Sequence, residues 1–553
     1  ILLLVAVGAI MFFPDFFINL FTSWNATDNP ERHALLRRSL IMLAPALFFL
    51  SIGSTTYMLL NGYKRFFLAA FGDASTKVCV VISLFAGVGI FGLGAKAVLF
   101  GLLAGSVAKL LTHLAGMLRE LRFFRPSLNV RNPAVKACAL LMLPLLAGII
   151  FAKMRDNYNG IYSLSRYKSD PGLLMANDLG RKLFASIQWL VPYALQIALF
   201  PFLCELVDKN DREKLGEVLS TSCLHLLAVF VPGAVLIAAL ATPVSALIFL
   251  GGKADFHVVV TWAGLATSCY ILVLPAAAME CVLMQGFFAN RKMVSVTVIG
   301  VLSSVLSVGI SVLFIVILEV EATKALMVVS LGFVVSRYLK SLVLGIYLQR
   351  SVHMFPLGET VSFAARLVVV GAVVWGTTYG VAKGVDRFLP DGLVKAEATY
   401  SEAAGKEAVM TVAGVHQLLG TRLGEVIGVD DSEELATVTK SFKKAIRGRK
   451  EAEQETERGK LFALIPADAS VANRNGAEEA IARFETVLAA NTKAVSQVSR
   501  VRLLIKLVVA TLAGLVAFLA AAFVLRVKEP FEMVSWTLDK ALGKFGKKLG
   551  LVK

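Results

Sequence analysis

The chain has 553 residues, of which 57% are hydrophobic and 17% are charged, and its formal net charge is +17. A soluble globular chain has about a quarter of its residues charged, so this composition excludes that class. The basic excess lies in short loops and within apolar segments, which excludes nucleic acid as the expected partner.

Apolar runs of at least about 18 residues predict transmembrane helices, and such runs follow one another along most of the sequence. We predict twelve spans, at 1–22, 39–60, 68–92, 94–117, 134–158, 173–203, 220–250, 258–285, 294–318, 324–348, 361–384 and 503–525. The expected fold class is an all-α polytopic membrane protein. The first span begins at Ile1 without an initiator methionine, so we expect the natural N-terminus to lie upstream.

Spans 2 and 8 end in similar sequences. Span 2 ends Asn61-Gly62-Tyr63 before Lys64-Arg65, and span 8 ends Gln285-Gly286-Phe287-Phe288 before Arg291-Lys292. Six spans separate the two motifs, which indicates two six-helix lobes related by an internal repeat, a common transporter architecture. Two unrelated helix ends that each use glycine to turn are the alternative.

Charged side chains inside the predicted spans are the candidate functional residues. A first group lies near the outer ends of spans 5 and 6 and comprises Lys153, Arg155, Asp156, Asp178, Arg181 and Lys182. A charge at bilayer depth costs roughly 3 kcal/mol on insertion scales, so it usually faces a wet cavity or a partner. The surplus of two bases suits a phosphate-bearing ligand. Snorkelling at the outer interface is the alternative.

Within that first group, Asp178 precedes Arg181 and Lys182 by three and four residues, which predicts an ion pair along the helix. A second group, Arg337 and Lys340, lies near the middle of span 10 on one helix face. Snorkelling from the centre of a span is harder, so we expect these two bases to face a cavity. Glu280 in span 8 is their candidate partner.

No nucleotide-binding loop, nucleophile–base arrangement or metal-ligand spacing is present in the sequence. We therefore expect neither an enzyme nor a bound cofactor. Transport would draw on an ion gradient or on the membrane potential, which supplies about 2.3 kcal/mol per charge per 100 mV. Lys109 and His113, which share a face of span 4, are interpreted as structural.

Basic residues favour one set of loops. The loops after even-numbered spans carry 19 Lys or Arg residues, and the short loops after odd-numbered spans carry 6. The positive-inside rule then predicts a cytoplasmic C-terminus and places residues 385–502 on the outer face. This stretch, called the insert below, is polar and predicts two to four exposed helices that could recruit cell-wall proteins.

The C-terminal tail, residues 526–553, is basic and amphipathic. Its apolar residues recur every three or four positions, opposite four lysines. This pattern predicts a helix on the inner leaflet, with its lysines against anionic head groups. A solvated tail is the alternative.

The order and spacing of the short motifs resemble the MurJ/MviN lipid II flippases of the multidrug/oligosaccharidyl-lipid/polysaccharide exporter superfamily. The resemblance covers about 1–384 and 500–532. It is carried by Leu60-Asn61 through Phe66, Gln285 through Arg291, Ala198-Leu199-Phe200-Pro201, and Arg526-Val527-Lys528-Glu529. Alignment on Pro201 puts Arg181 and Lys182 where the family has an Asp-Arg pair.

The resemblance implies fourteen helices, of which this chain begins at the third. It implies an N-terminal lobe at 1–133, a C-terminal lobe at 134–350, additional helices at 351–384 and 503–525, the insert and the tail. The substrate would be lipid II, flipped across the bacterial inner membrane for peptidoglycan synthesis. Its expected binding residues are Arg155, Asp156, Asp178, Arg181, Lys182, Arg337 and Lys340.

Two other functions are compatible with the sequence. An exporter of another polyprenyl-linked saccharide, or a drug/cation antiporter of the same superfamily, would share the fold. A membrane scaffold whose insert recruits cell-wall enzymes would share the spans but move no substrate.

Overall fold

The described part of the chain is helical and contains no strand, which confirms the all-α polytopic class. The computed structural model describes residues 2–22, 30–63, 65–94, 96–121, 133–167, 170, 172–190, 192–251, 254–352, 354, 357–404, 411–427, 433–448, 451–463, 465 and 471–532. Lys64, the side chain of Asn61 and the tail beyond Glu532 lie outside the described residues. The chain forms two compact units, Ile1–Ala139 and Leu140–Lys553.

The first unit is built from six helices and the start of a seventh. The six are α1 (Leu2–Phe12), α2 (Pro14–Phe21), α3 (Pro30–Gly62), α4 (Phe66–Gly89), α5 (Lys96–Gly116) and α6 (Leu118–Leu121). The axes of α1 and α2 meet at 89°, so the predicted span 1–22 is bent rather than straight. Pro14 begins α2, because proline lacks a backbone N–H and fits only the first helical turn.

The second unit contains the remaining helices and three π-helical turns, at Tyr158–Tyr162, His257–Ala263 and Val312–Ile317. Its membrane part comprises α7 (Pro133–Asn157), α8 (Ser163–Ser165), α9 (Leu173–Leu190), α10 (Pro192–Asp208), α11 (Arg212–Ala239), α12 (Ala241–Phe249), α13 (Gly264–Ile271), α14 (Leu274–Ala289), α15 (Met293–Ser311), α16 (Ala322–Gln349), α17 (Leu357–Phe388) and α23 (Arg500–Val524).

The insert forms the other five helices of this unit. They are α18 (Leu393–Ala404), α19 (Val412–Ile427), α20 (Glu433–Gly448), α21 (Glu451–Ala463) and α22 (Val471–Gln497). The sequence predicted two to four helices here, and the described residues form five.

Nine of the described helical segments are long and apolar enough to cross a membrane, and the bent pair α1–α2 is a tenth candidate. The two other predicted spans, 134–158 and 173–203, are also helical. The first coincides with α7, which carries Lys153, Arg155 and Asp156. The second is divided into α9 and α10, and Pro192 begins α10 for the reason that Pro14 begins α2.

The core of the second unit runs without interruption from the membrane helices into the insert. Buried side chains of α13, α14 and α16 belong to the same cluster as Leu393, Tyr400, Leu419, Phe442 and Phe484 of the insert. The insert is therefore packed onto its unit as part of one core.

Buried polar contacts fix the insert to the chain that precedes the second π-helical turn. Asn491 accepts a hydrogen bond from the Phe256 backbone N–H at 2.7 Å and donates to the Ala254 carbonyl at 3.0 Å. The Asp255 carboxylate accepts from the Val412 N–H at 2.7 Å. Polar groups buried in this way are stabilising only when paired, and these pairs hold α19 and α22 in place.

The residues of the repeat motif stabilise helix ends where the structure describes them. Arg65 forms an ion pair with Glu120 at 2.7 Å and also donates to the Gly116 carbonyl. Gln285 is buried, and a Cβ on Gly286 would lie 3.0 Å from Leu219 and from Leu348. Arg291 follows α14 in the left-handed region, with φ 56°.

Lys109 and His113 are packed inside the first unit. Lys109 forms an ion pair with Asp73 at 2.5 Å. The fully buried His113 lies 3.0 Å from both Thr56 Oγ1 and the Gly53 carbonyl, and 3.1 Å from the Ala69 carbonyl. These contacts join α3, α4 and α5, as a structural role requires.

Candidate functional site

The charged group predicted on spans 5 and 6 lies where α7 gives way to a π-helical turn. The turn Tyr158–Tyr162 directly follows Asn157, the last residue of α7. Such turns insert an extra residue into a helix and often occur at functional sites. On α9, which carries Arg181, Gly180 permits a close approach to α13, because a Cβ at this position would lie 2.7 Å from the Ala266 Cβ.

Asp156 joins two arginines from neighbouring helices. Arg155 donates to Asp156 Oδ1 through Nε at 3.0 Å and through Nη2 at 2.7 Å. Arg181 of α9 reaches Asp156 Oδ2 at 2.5 Å. The sequence predicted an ion pair of Asp178 with Arg181 or Lys182 along the helix. The structure pairs Asp178 with Lys182 at 2.6 Å, and Arg181 pairs with Asp156 of α7.

Glu280 of α14 joins two bases of α16 in the same manner. Its Oε2 accepts from Arg337 and its Oε1 accepts from Lys340. Only 6% of the Glu280 side chain is exposed, against 15% for Arg337 and 13% for Lys340. The predicted pairing of Glu280 with one of these bases is therefore a pairing with both.

The Phe333 ring lies between these two ion-paired groups. Its centroid is 5.0 Å from the guanidinium carbon of Arg155, 5.4 Å from that of Arg181 and 5.3 Å from that of Arg337. An aromatic ring attracts cations within about 6 Å of its centroid. Phe333 thus gathers three arginines from three helices around one point. We call Arg155, Asp156, Arg181, Glu280, Phe333, Arg337 and Lys340 the Phe333 cluster.

The Phe333 cluster contains four bases and two carboxylates, which leaves two uncompensated positive charges. Buried charges without counter-ions are costly, and the Arg337 Nε is buried without a hydrogen-bond partner among the described residues. An anionic ligand would supply the missing negative charge.

A cavity of about 750 Å³ opens beside the cluster. It lies between α7 and α9 and is lined by Lys153, Asp156, Asn157, Asn177, Asp178, Arg181 and Lys182, among others. Asp178 and Lys182 form an ion pair at 2.6 Å on its more exposed side. Arg337 and Lys340 are not among its lining residues; both contact Glu280, and Arg337 also contacts the Phe333 ring.

Two members of the cluster were not among the predicted binding residues. Glu280 was recognised only as a partner for a base, and Phe333 was missed. Phe333 precedes Arg337 by four residues on α16, a spacing that places a ring and a guanidinium on the same helix face. That spacing was the available signal.

An apolar groove lies on another face of the same unit. It has a volume of about 550 Å³ and is formed by α11, the start of α12 and α23, with Gly233, Leu236, Leu240, Val244, Leu507, Val508 and Leu512 among its lining residues. A groove of this composition between membrane helices suits an aliphatic chain.

Within the described residues, no group of three or more His, Cys, Asp or Glu side chains is arranged to hold a metal ion. The Phe333 cluster, with its surplus of arginine and lysine side chains, suits an anion.

The family model of the lipid II flippase MurJ matches residues 1–394. The match ends at the beginning of α18 and leaves out most of the insert and α23. A solved structure described as the lipid II flippase MurJ in an inward closed conformation is 18% identical in sequence, covers 68% of this chain and 75% of its own, and superposes with a TM-score of 0.53. No curated protein matches the chain significantly.

Proposed function

The chain belongs to the MurJ lipid II flippase family, and from this membership we propose that it flips lipid II, an undecaprenyl-diphosphate-linked peptidoglycan precursor. The substrate would pass from the inner to the outer leaflet of the bacterial cytoplasmic membrane by alternating access of two lobes. The observation that supports this proposal most strongly is the Phe333 cluster, because a cationic surplus buried among membrane helices requires an anionic partner.

In this proposal the charged residues of the second unit have different roles in binding the substrate. Arg181 and Lys182 meet the diphosphate at the cavity wall, since arginine can grip phosphate oxygens bidentately. Arg155, Arg337 and Lys340 do not line the cavity, and they attract the diphosphate through their positive charge without contacting it. Asp156 and Asp178 orient the bases that they contact. The groove between α11, α12 and α23 accepts part of the long lipid tail.

The membrane orientation is part of the same proposal. The basic loops after the even-numbered spans place the C-terminus in the cytoplasm and the insert outside. Released lipid II would then emerge on the side where the insert and any cell-wall synthesis partners lie. The other partners in this proposal are the lipid substrate and the surrounding membrane lipids.

Depletion of the protein in its native cell tests the function. Outer-leaflet lipid II should fall while total lipid II rises, because synthesis continues on the inner face. The lipid is measured by its accessibility to an external enzyme or label that cannot cross the membrane. Complementation with the wild-type chain is the control, and unchanged outer-leaflet lipid II after depletion would refute the proposal.

A second candidate is export of another polyprenyl-linked saccharide, and one observation favours it. Arg181 and Lys182 stand where the family has an Asp-Arg pair, and both line the cavity. The charge reversal R181E/K182E, assayed with lipid II, with a second lipid-linked saccharide and with a cationic drug, separates the functions. Loss of only the lipid-linked substrates supports a flippase, whereas loss of drug export supports an antiporter.

A scaffold function for the insert has weaker support. In the described part of α18 to α22, Val394 is the one large apolar side chain that is exposed. A face that recruits partners would thus be polar. Pull-down of cell-wall enzymes with the full chain, in parallel with the flipping assay, distinguishes a scaffold from a transporter.

A further inference from the structure

Glu280 has a position that binding alone does not explain. A site for an anion has no evident need for a buried carboxylate, and a carboxylate repels phosphate. Yet Glu280 lies in the interior, with 6% of its side chain exposed, and contacts both Arg337 and Lys340. Breaking such a buried group of ion pairs is strongly unfavourable, so the arrangement is a fixed part of the site.

Glu280 determines the net charge of the Phe333 cluster, beside which the cavity opens. With Glu280 ionised, the Phe333 cluster carries two more positive than negative charges. Without it, the surplus would be three. Charges in a low-dielectric interior interact over the distances that separate these groups, so a ligand at the cavity wall experiences the whole cluster.

Lipid-linked phosphates differ in charge according to how they are esterified. A sugar joined through one phosphate carries about one negative charge, a sugar joined through a diphosphate carries about two, and a diphosphate with a free end carries about three. The surplus of the buried Phe333 cluster, counted without the exposed Lys153 at the cavity wall, equals the charge of the second class.

We propose that Glu280 is a selectivity residue. As the internal counter-ion of Arg337 and Lys340, it sets the charge of the site so that a diphosphate esterified at both ends is preferred over a monophosphate ester and over a free-ended diphosphate. This inference rests on the proposed function and goes beyond it, because it assigns the discrimination among phosphate head groups to one residue of α14.

In this arrangement Glu280 discriminates among phosphate head groups through the bases that it contacts, and it does not touch the ligand itself. Glu280 is not among the residues that line the cavity, and Phe333 lies between the Asp156 pairs and the Glu280 pairs. Glu280 therefore positions and neutralises Arg337 and Lys340, which in turn act on the ligand.

A charge series tests this inference. Lys340→Met lowers the surplus to one, Glu280→Gln raises it to three, and the double variant E280Q/K340M returns it to two. The purified full chain is titrated with three short-chain probes: a polyprenyl phosphate sugar, a polyprenyl diphosphate sugar and a polyprenyl diphosphate. The measured quantity is the ratio of their dissociation constants, which a general loss of stability does not change.

The preferred probe should move with the surplus. K340M should favour the monophosphate ester and E280Q the free-ended diphosphate, each by about tenfold, a change that corresponds to about 1.4 kcal/mol. E280Q/K340M should return to the wild-type ranking although both side chains are altered. Because K340M leaves Glu280 paired with Arg337, this arm remains informative even if E280Q does not fold.

Glu321→Gln is the matched control, since it removes one negative charge from an exposed pair with Lys324 at the start of α16. It should leave the ranking unchanged. The same ranking in all variants, or a double variant that behaves like E280Q, would overturn the assignment to Glu280. Failure of the wild-type chain to bind any diphosphate probe would instead refute the proposed function.

Discussion

At the scale of single residues, Phe333 shows how a membrane protein can hold like charges together. Three guanidinium carbons lie 5.0 to 5.4 Å from its ring centroid, and two carboxylates connect the bases on either side. Each cation–π contact contributes about 0.5–2 kcal/mol, with the larger values where water is excluded. The ring therefore positions the arginines as well as filling the core.

Replacement of Phe333 by leucine should weaken binding of a diphosphate lipid by roughly tenfold, because the arginines lose their common contact while the site keeps its charge. The measurement is a titration of the purified variant with a short-chain polyprenyl diphosphate sugar. Phe184→Leu is the control, since Phe184 packs edge-on against Phe333 at 6.3 Å. Equal affinities for the two variants would show that the ring only packs.

The same residues show how far the sequence predicts the site. The rarity of charges in apolar spans identified Arg155, Arg181 and Arg337, because burial of a charge is costly whatever the fold. It also indicated Glu280 as a partner of Arg337, but it did not predict the pairs that Arg155 and Arg181 form with Asp156. Arg181 pairs with Asp156 because the fold brings the two side chains, which lie on different helices, within 2.5 Å, and sequence spacing along one helix carries no information about such a contact.

At the scale of elements, the contact between α19 and the chain before the second π-helical turn depends on Asp255. Its carboxylate accepts from the backbone N–H groups of Val412, His257 and Val258. Burial nevertheless raises the pKa of Asp255 to about 6, against the opposing effect of these hydrogen bonds. Ionised Asp255 is therefore less favourable in the folded protein than in the unfolded chain.

This raised pKa predicts a pH dependence of the insert. Since the folded pKa lies above the unfolded value of about 3.9, the stabilisation is complete below about pH 4 and is lost as the pH rises through about 6, by at most about 3 kcal/mol. Hydrogen exchange of α19 between pH 4 and 7 measures it. Asp255→Asn should remove this component, and an unchanged profile in that variant would contradict the prediction.

The comparison with Asp255→Asn also corrects for other titrating groups. Burial lowers the pKa of His416 on α19 to about 4, so His416 stabilises the fold above about pH 6.5 and loses that effect as the pH falls toward 4. Its effect is opposite in sign to that of Asp255. Because His416 is present in both proteins, the difference between their profiles isolates the carboxyl.

At the scale of the whole molecule, the sequence predicted the class and most spans, since apolar runs of this length seldom occur outside membrane helices. It predicted the insert only as a polar helical stretch. The continuity of its core with the membrane helices, through residues such as Tyr400 and Phe484, could not be inferred from periodicity, because an amphipathic helix does not identify the surface that it covers.

Removal of α18 to α22 should lower the thermal stability of the chain and leave flipping intact. The cut is feasible because the Ser499 N–H donates to the Asp391 carbonyl at 2.9 Å, so a short turn can join the two ends. Thermal stability should fall because Phe256 and the apolar side chains around it become exposed to water. Unfolding midpoint and reconstituted flipping are measured on the same preparation, and abolished flipping in a folded variant would contradict this prediction.

The meeting of Asp391 with Ser499 has a consequence for the history of the chain. The end of α17 and the start of α23 lie next to each other at this contact, so any compact domain with neighbouring termini can be inserted there without altering the spans on either side. Relatives could thus exchange whole modules at this point, each adapted to a different cell envelope. A fluorescent reporter inserted at this junction would likewise reveal on which side of the bilayer it lies.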